Sequence, residues 1–99
     1  MNILSWNCRG SGGTTVATLS RYLHCTKAQI AFISETRCNL VKANDRIHKL
    51  PLCNSIVVPS NGRSGGLWLI WGDDVTVRLI ETTKNMIVSM VREKGCVEE

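Results

Sequence analysis

No stretch of this sequence is apolar for long enough to cross a membrane, because every hydrophobic run is shorter than the roughly 18 residues that a spanning helix needs. The first residues also lack the basic region and apolar core of a secretory signal peptide. We therefore expect no membrane partner and an intracellular location.

Cysteine is present, but without the spacing that would give it a structural role. The five cysteines are an odd number, and no C-x-x-C occurs. This pattern indicates neither a disulfide framework nor a zinc site. Mostly apolar neighbours suit reduced, partly buried thiols, which also favour an intracellular compartment.

The glycine-rich stretch 10–13 lacks the features of the common nucleotide-binding loops. Thr15 stands where the third glycine of G-x-G-x-x-G would be, and no Gly-Lys-Ser/Thr follows as in a Walker A loop. We interpret this stretch as a loop between a strand and a helix.

Charge of one sign is not concentrated anywhere. The net charge is +4, from 12 Lys and Arg against 8 Asp and Glu, and the basic residues are spread from Arg9 to Lys94. This distribution is more typical of a solvated surface than of a dedicated nucleic-acid stripe, although it is compatible with a polyanionic substrate.

The spacing of the apolar residues changes from a helical to a strand period after Pro51. The resulting order is β-α-β-α-β-β-β-β, which predicts an α/β protein with one mixed sheet. We predict helices near residues 14–26 and 40–50, and strands near 2–7, 30–35, 54–58, 66–71, 75–81 and 86–92.

Two of the predicted strands end on a polar side chain. Asn7 closes the first strand, and Glu35 closes the second, which is apolar on both faces. The connection between them exceeds twenty residues and carries a helix, so it permits a parallel crossover and excludes a tight hairpin. Parallel pairing would bring Asn7 and Glu35 to the same end of the sheet, where side chains can share a site.

Three segments, ILSWNCRG at 3–10, IAFISETR at 30–37 and RSGGLWLIW at 63–71, occur in an order and spacing that resemble a known family. The combination is similar to the opening of the endonuclease/exonuclease/phosphatase superfamily. It resembles in particular the apurinic-type endonuclease of plant LINE (non-LTR) retrotransposons. The resemblance implies a DNase I-like mixed β-sheet layered with helices.

The length limits what the resemblance can imply. A complete sandwich enzyme of this kind runs to roughly 200–250 residues as one domain, whereas this chain has 99. We therefore expect residues 1–99 to be the N-terminal half of such a domain, truncated to about half of the four-layer α/β sandwich. Partners implied by the resemblance are a missing C-terminal half or a reverse transcriptase domain, and a nuclear location would follow from them.

The resemblance implies a divalent cation, usually Mg²⁺, that activates phosphodiester cleavage, with DNA as the nucleic-acid partner. Glu35 matches a metal ligand of the family, and Asn7 matches the residue that holds the metal site or the scissile phosphate. Both are therefore candidate catalytic residues. A hard cation with oxygen ligands, bound through carboxylate and substrate phosphate, is consistent with these residue types.

The rest of the family's machinery is not in this sequence. Tyr22 is the only tyrosine and falls in the first helix, so it cannot act as the catalytic tyrosine. Gly72-Asp73-Asp74-Val75 lacks the asparagine of Gly-Asp-x-Asn and is interpreted as a turn. His24 and His48 are interpreted as surface residues.

Two functions therefore stay open. One is a fragment of a metal-dependent nuclease that is inactive alone. The other is a small, non-catalytic α/β binding module. In either case we expect the last strands to leave an apolar face uncovered, with Leu67 and Leu69, or Trp68 and Ile70, on it.

Overall fold

The structure is a computed structural model, and it describes residues 1–10 and 12–94. Two helices and six strands confirm the predicted α/β class and element order. The elements are β1 (Ile3–Asn7), α1 (Gly13–Thr26), β2 (Ile30–Ser34), α2 (Leu40–Ile47), β3 (Asn54–Val58), β4 (Leu67–Trp71), β5 (Val75–Thr83) and β6 (Met86–Glu93). Within the described residues, no helix is long and apolar enough to span a bilayer.

The first four strands form one mixed sheet in the order β1-β2-β4-β3. β1 and β2 are parallel, whereas β4 runs antiparallel to both β2 and β3. The parallel pair forms because α1 carries the chain back along the sheet between the two strands. The predicted crossover is therefore present.

The prediction of a single sheet of six strands is wrong. β5 and β6 pair only with each other, as an antiparallel two-stranded sheet with a bulge between Leu79 and Glu81. We call this sheet the β5–β6 ribbon. β4 already has β2 on one side and β3 on the other, so neither of its edges is open to β5. The turn at Gly72-Asp73-Asp74 accordingly leads the chain out of the first sheet.

The core lies between the two helices and one face of the four-stranded sheet. α1 contributes Leu19 and Leu23, and α2 contributes Ala43 and Ile47. From the sheet, alternate residues of β2 and β4 point to this side, as the period of two requires. They are Ala31, Ile33, Trp68 and Ile70.

The second face of β2 and β4 is covered by the β5–β6 ribbon. Ile30, Leu67 and Leu69 alternate with the core residues, yet at most 6% of their surface is exposed. The ribbon begins at Val75, which is buried, and its last strand is tied to the amino terminus by an ion pair of 3.0 Å between the Met1 ammonium and Glu93. The molecule thus has three layers: helices, sheet and ribbon.

The expectation of an uncovered apolar face on β4 is also wrong. Leu67, Trp68, Leu69 and Ile70 are all buried, because the helices cover one side of β4 and the ribbon covers the other. The ribbon itself exposes several large apolar side chains. They are those of Leu79, Ile80, Met86, Val88, Met90 and Val91.

Candidate functional site

Asn7 and Glu35 lie at the same end of the sheet. Asn7 is aligned with Ser34 in the parallel register of β1 and β2, and Glu35 follows Ser34 directly. Beyond the strands, the Cys8 amide donates to the Ser34 carbonyl at 3.1 Å, and the Gly10 amide donates to the Glu35 carbonyl at 2.7 Å. We call this end of the sheet the Glu35 edge.

A third segment joins the Glu35 edge from the loop before β4. The Thr36 amide donates to the Gly66 carbonyl at 3.2 Å, and the Arg37 amide donates to the Gly65 carbonyl at 2.9 Å. The three segments that carry the sequence resemblance, far apart in the chain, are therefore hydrogen-bonded to one another at one edge of the sheet.

The backbone at this edge adopts conformations that side chains disfavour. Arg9, Glu35 and Arg37 each have a φ of 53°, in the left-handed region. A residue other than glycine costs about 1–2 kcal/mol in that region. Such conformations persist only where surrounding contacts enforce them, and they concentrate at functional sites. The hydrogen bonds of the Glu35 carbonyl and of the Thr36 and Arg37 amides supply these contacts here.

Glu35 lines an open pocket of about 380 Å³ between the sheet edge and the turn of the ribbon. Six of its ten lining residues have polar side chains, and the lining comes from three places: the end of β2, the loop before β4 and the turn between β5 and β6. The lining residues are Ser34, Glu35, Pro59, Asn61, Ser64, Gly65, Gly66, Leu67, Lys84 and Asn85.

Glu35 and Lys84 are the charged residues that line this pocket. Across residues 1–10 and 12–94, neither the Glu35 carboxylate nor the Lys84 ammonium makes an ion pair or a side-chain hydrogen bond. Both charged groups are therefore accessible to a ligand. Sequence reasoning missed Lys84, Asn61 and Asn85, because they lie in turns without a motif, and only the fold brings them to Glu35.

Asn7 is exposed and is not among the residues that line the pocket. Its Oδ1 accepts a hydrogen bond of 3.2 Å from the Arg9 amide, which closes a tight turn. A carbonyl oxygen has two lone pairs, so this bond leaves Oδ1 one acceptor site. That Asn7 and Glu35 share one metal ion stays a prediction.

The described part of the chain contains no group of three or more His, Cys, Asp or Glu residues that could enclose a metal ion. A fully dehydrated metal centre is therefore inconsistent with the residues present there. Mg²⁺ has different requirements, because it commonly binds through one or two carboxylates and keeps several waters or substrate phosphates. Glu35 beside a polar pocket fits that second kind of site.

Comparison with models of known protein families finds none that matches this chain. A comparison with curated proteins likewise finds no match.

Cys8 is the one thiol that contacts the Glu35 edge through a described hydrogen bond, from its Sγ to the Glu35 carbonyl at 3.7 Å. Burial raises the pKa of this thiol above its ordinary value. A raised pKa keeps the sulfur protonated near neutral pH, and the protonated form is a poor nucleophile. The role of Cys8 is therefore structural: it packs against the core, and its thiol donates a hydrogen bond to the Glu35 carbonyl. Cys25 and Cys53 are exposed, Cys38 is buried, and Cys96 lies outside the described residues.

The residues that were interpreted as structural lie away from the Glu35 edge or on the surface. His24 and His48 are exposed. Tyr22 packs edge-on against Trp6, with ring centroids 5.5 Å apart. Asp73 lies in the turn after β4, at the opposite end of that strand from Gly66. It accepts a hydrogen bond of 3.3 Å from the Asn54 amide, as a turn residue would.

Proposed function

We propose that this chain is the N-terminal part of a Mg²⁺-dependent phosphodiesterase of the endonuclease/exonuclease/phosphatase superfamily, with a DNase I-like fold. One observation carries the proposal: the three segments of the sequence resemblance are hydrogen-bonded to one another at the Glu35 edge, where the second and third of them line a pocket. The strand-end position of Glu35 in a parallel pair is also where α/β proteins place their ligands.

In this proposal the Glu35 carboxylate holds the metal, and the Asn7 amide orients the scissile phosphate or a metal-bound water. Bound Mg²⁺ would polarise a phosphoryl oxygen and stabilise the leaving oxygen. Glu35 is well suited to this role because its carboxylate has no ion-pair partner in the described part of the chain. The polar side chains of Ser34, Asn61 and Ser64 would hold the surrounding waters or phosphate oxygens.

The proposal includes a requirement for further residues. A general base must lie within hydrogen-bond reach of the attacking water, and no histidine or second carboxylate lines the pocket among the described residues. We infer that a C-terminal half or an associated reverse transcriptase domain supplies this base. DNA as the substrate and a nuclear location belong to the same proposal.

The test is metal binding, which does not require a complete active site. Mn²⁺, added at low ratio to the isotope-labelled chain, should broaden the backbone amide signals of residues 8–10 and 34–37. Glu35→Gln should abolish this broadening. Asp45→Asn is the matched control, because Asp45 is an exposed carboxylate on α2. Equal broadening in wild type and Glu35→Gln would disprove the metal site.

A non-catalytic binding module is the second candidate, and a specific observation favours it. Met86, Val88 and Met90 alternate along β6 and so share the face of the ribbon that points away from the sheet, where they are exposed. Neighbouring exposed apolar side chains mark interaction surfaces. A chain that binds no Mn²⁺ at Glu35, and that loses self-association or partner binding with Met90→Lys, would select this second function.

A further inference from the structure

The turn of the ribbon reaches the Glu35 edge because the ribbon is longer than the sheet beneath it. β5 has nine residues and β4 has five, so they span about 30 Å and about 17 Å at 3.3–3.4 Å per residue. The ribbon starts at the opposite end of the sheet, and its turn at Lys84 and Asn85 therefore overhangs the pocket. The Asn85 amide donates to Thr83 Oγ1 at 3.2 Å, which holds the turn closed.

Lys84 and Glu35 line the same pocket without forming an ion pair with each other. Because these two opposite charges do not neutralise each other, the pocket suits a ligand that carries both a positive and a negative group. A metal ion with a phosphate group is such a ligand, because the cation binds the carboxylate and the phosphate binds the ammonium. The pocket, at about 380 Å³, is at the small end of ligand sites, which span about 300–1,000 Å³.

We propose that Lys84 binds a backbone phosphate of a single nucleic-acid strand, across the pocket from the cation held by Glu35. This inference rests on the proposed function and adds a residue that the sequence resemblance did not include. Lysine binds phosphate as a point charge. Asn61, Ser64 and Asn85 provide further polar groups for the remaining phosphate oxygens and the sugar. The ribbon thereby acts as the second wall of the substrate site.

The experiment measures the affinity of the full chain for a short single-stranded oligothymidylate in the presence of Mg²⁺. Lys84→Gln should raise the Kd about five-fold, the upper end for an exposed ion pair. It should also lower the slope of log Kd against log salt by about 0.7, the value for one phosphate contact on a single strand. Lys84→Arg keeps the charge and should retain the affinity within about two-fold.

Lys42→Gln is the matched control, because it removes one exposed lysine charge from α2 and should change neither the affinity nor the slope. Equal Kd values for Lys84→Gln and Lys42→Gln would overturn the Lys84 contact, and so would a wild type that does not bind the oligonucleotide.

The same variants separate this inference from the proposed function. If Mn²⁺ broadens the signals around Glu35 but Lys84→Gln binds like Lys42→Gln, the metal site stands and the Lys84 contact is wrong. If no Mn²⁺ binds but Lys84→Gln still weakens oligonucleotide binding, the metal chemistry is wrong and the phosphate contact stands.

Discussion

Gly66 shows how a single residue sets the geometry of the Glu35 edge. Its φ of 94° is in the region that favours glycine, and a Cβ built on it would collide with Thr36 Oγ1 and approach the Arg37 nitrogen. The Gly66 carbonyl also accepts a hydrogen bond from the Thr36 amide, so the backbone of Gly66 lies directly against Thr36. Close approach of these two backbones brings the loop before β4 against Glu35.

Gly66→Ala should therefore destabilise the fold by about 2 kcal/mol or more, from backbone strain and from the displaced Thr36. The measurement is the free energy of unfolding in urea. Gly13→Ala is the control, since a Cβ there meets nothing within 4 Å and alanine favours the first turn of α1. Equal stability of the two variants would show that the loop before β4 adjusts freely.

Asp73 is a residue whose ionisation makes the stability of the fold depend on pH. Hydrogen bonds from the Asn54 amide and from the Cys53 thiol hold the pKa of Asp73 below its ordinary value of 3.8. A carboxylate with a lowered pKa stabilises the folded state above its unfolded pKa, and this contribution is lost as the pH falls through the folded pKa.

We expect Asp73→Asn to lose less stability than the wild type between pH 5 and pH 2, because the variant has no carboxylate to protonate at this position. Thermal unfolding followed by circular dichroism across this range measures the difference. Glu81→Gln, which removes an exposed carboxylate on the ribbon, is the comparison. A parallel decline of Tm in wild type and Asp73→Asn would contradict the assignment.

At the scale of elements, α2 begins where the sequence predicts but ends earlier than predicted. Asn39 caps the helix: its Oδ1 accepts a hydrogen bond of 2.9 Å from the Lys42 amide. The helix ends at Ile47 rather than near residue 50, because the chain tightens into a turn in which the Leu50 amide donates to the Ile47 carbonyl. Leu50 is nevertheless buried, as its apolar character requires.

Asn39→Ala should cost about 1 kcal/mol of folding stability, since it leaves the Lys42 amide without its capping acceptor. Asn39→Ser should restore most of this loss because serine also caps helices well. Asn44→Ala, at an exposed position within α2, serves as the control. The result would be contradicted if Asn39→Ala unfolded at the same urea concentration as the wild type.

At the scale of the whole molecule, the ribbon lies against the sheet on the side that the helices leave open. It covers the apolar residues of β2 and β4 and supplies the second wall of the pocket. Its own outer face exposes apolar side chains, and β1 forms one edge of the sheet, with Ile3 exposed. These surfaces would accept further layers of a larger domain.

The 99-residue chain, purified alone, should show no significant Mg²⁺-dependent nuclease activity. Among the described residues, no candidate general base lines the pocket with Glu35, and one carboxylate fixes a metal ion weakly. A plasmid-nicking assay on wild type and Glu35→Ala measures this. Robust nicking that depends on Mg²⁺ and is lost in Glu35→Ala would show that the chain is a working enzyme.

Much of the fold could be read from local patterns. The predicted strands match the observed ones within two residues at each end, and α1 begins one residue earlier than predicted. The length of the connection between β1 and β2 excluded a tight hairpin and permitted a parallel crossover, and the structure shows that the two strands are parallel. This pairing places Asn7 and Glu35 at the same end of the sheet.

What the sequence determined by itself is the type and order of the elements and the position of Asn7 and Glu35 at the ends of two strands, because periodicity and caps act over a few residues. Only the tertiary structure decided that β1 and β2 pair in parallel, that β5 and β6 leave the sheet, and that Lys84 and Glu35 line one pocket. The physical reason is competition for hydrogen bonds and apolar surface. Both edges of β4 are already paired, so β5 cannot join the sheet there. The ribbon packs instead across the face that the helices leave open, because this buries the apolar side chains of that face.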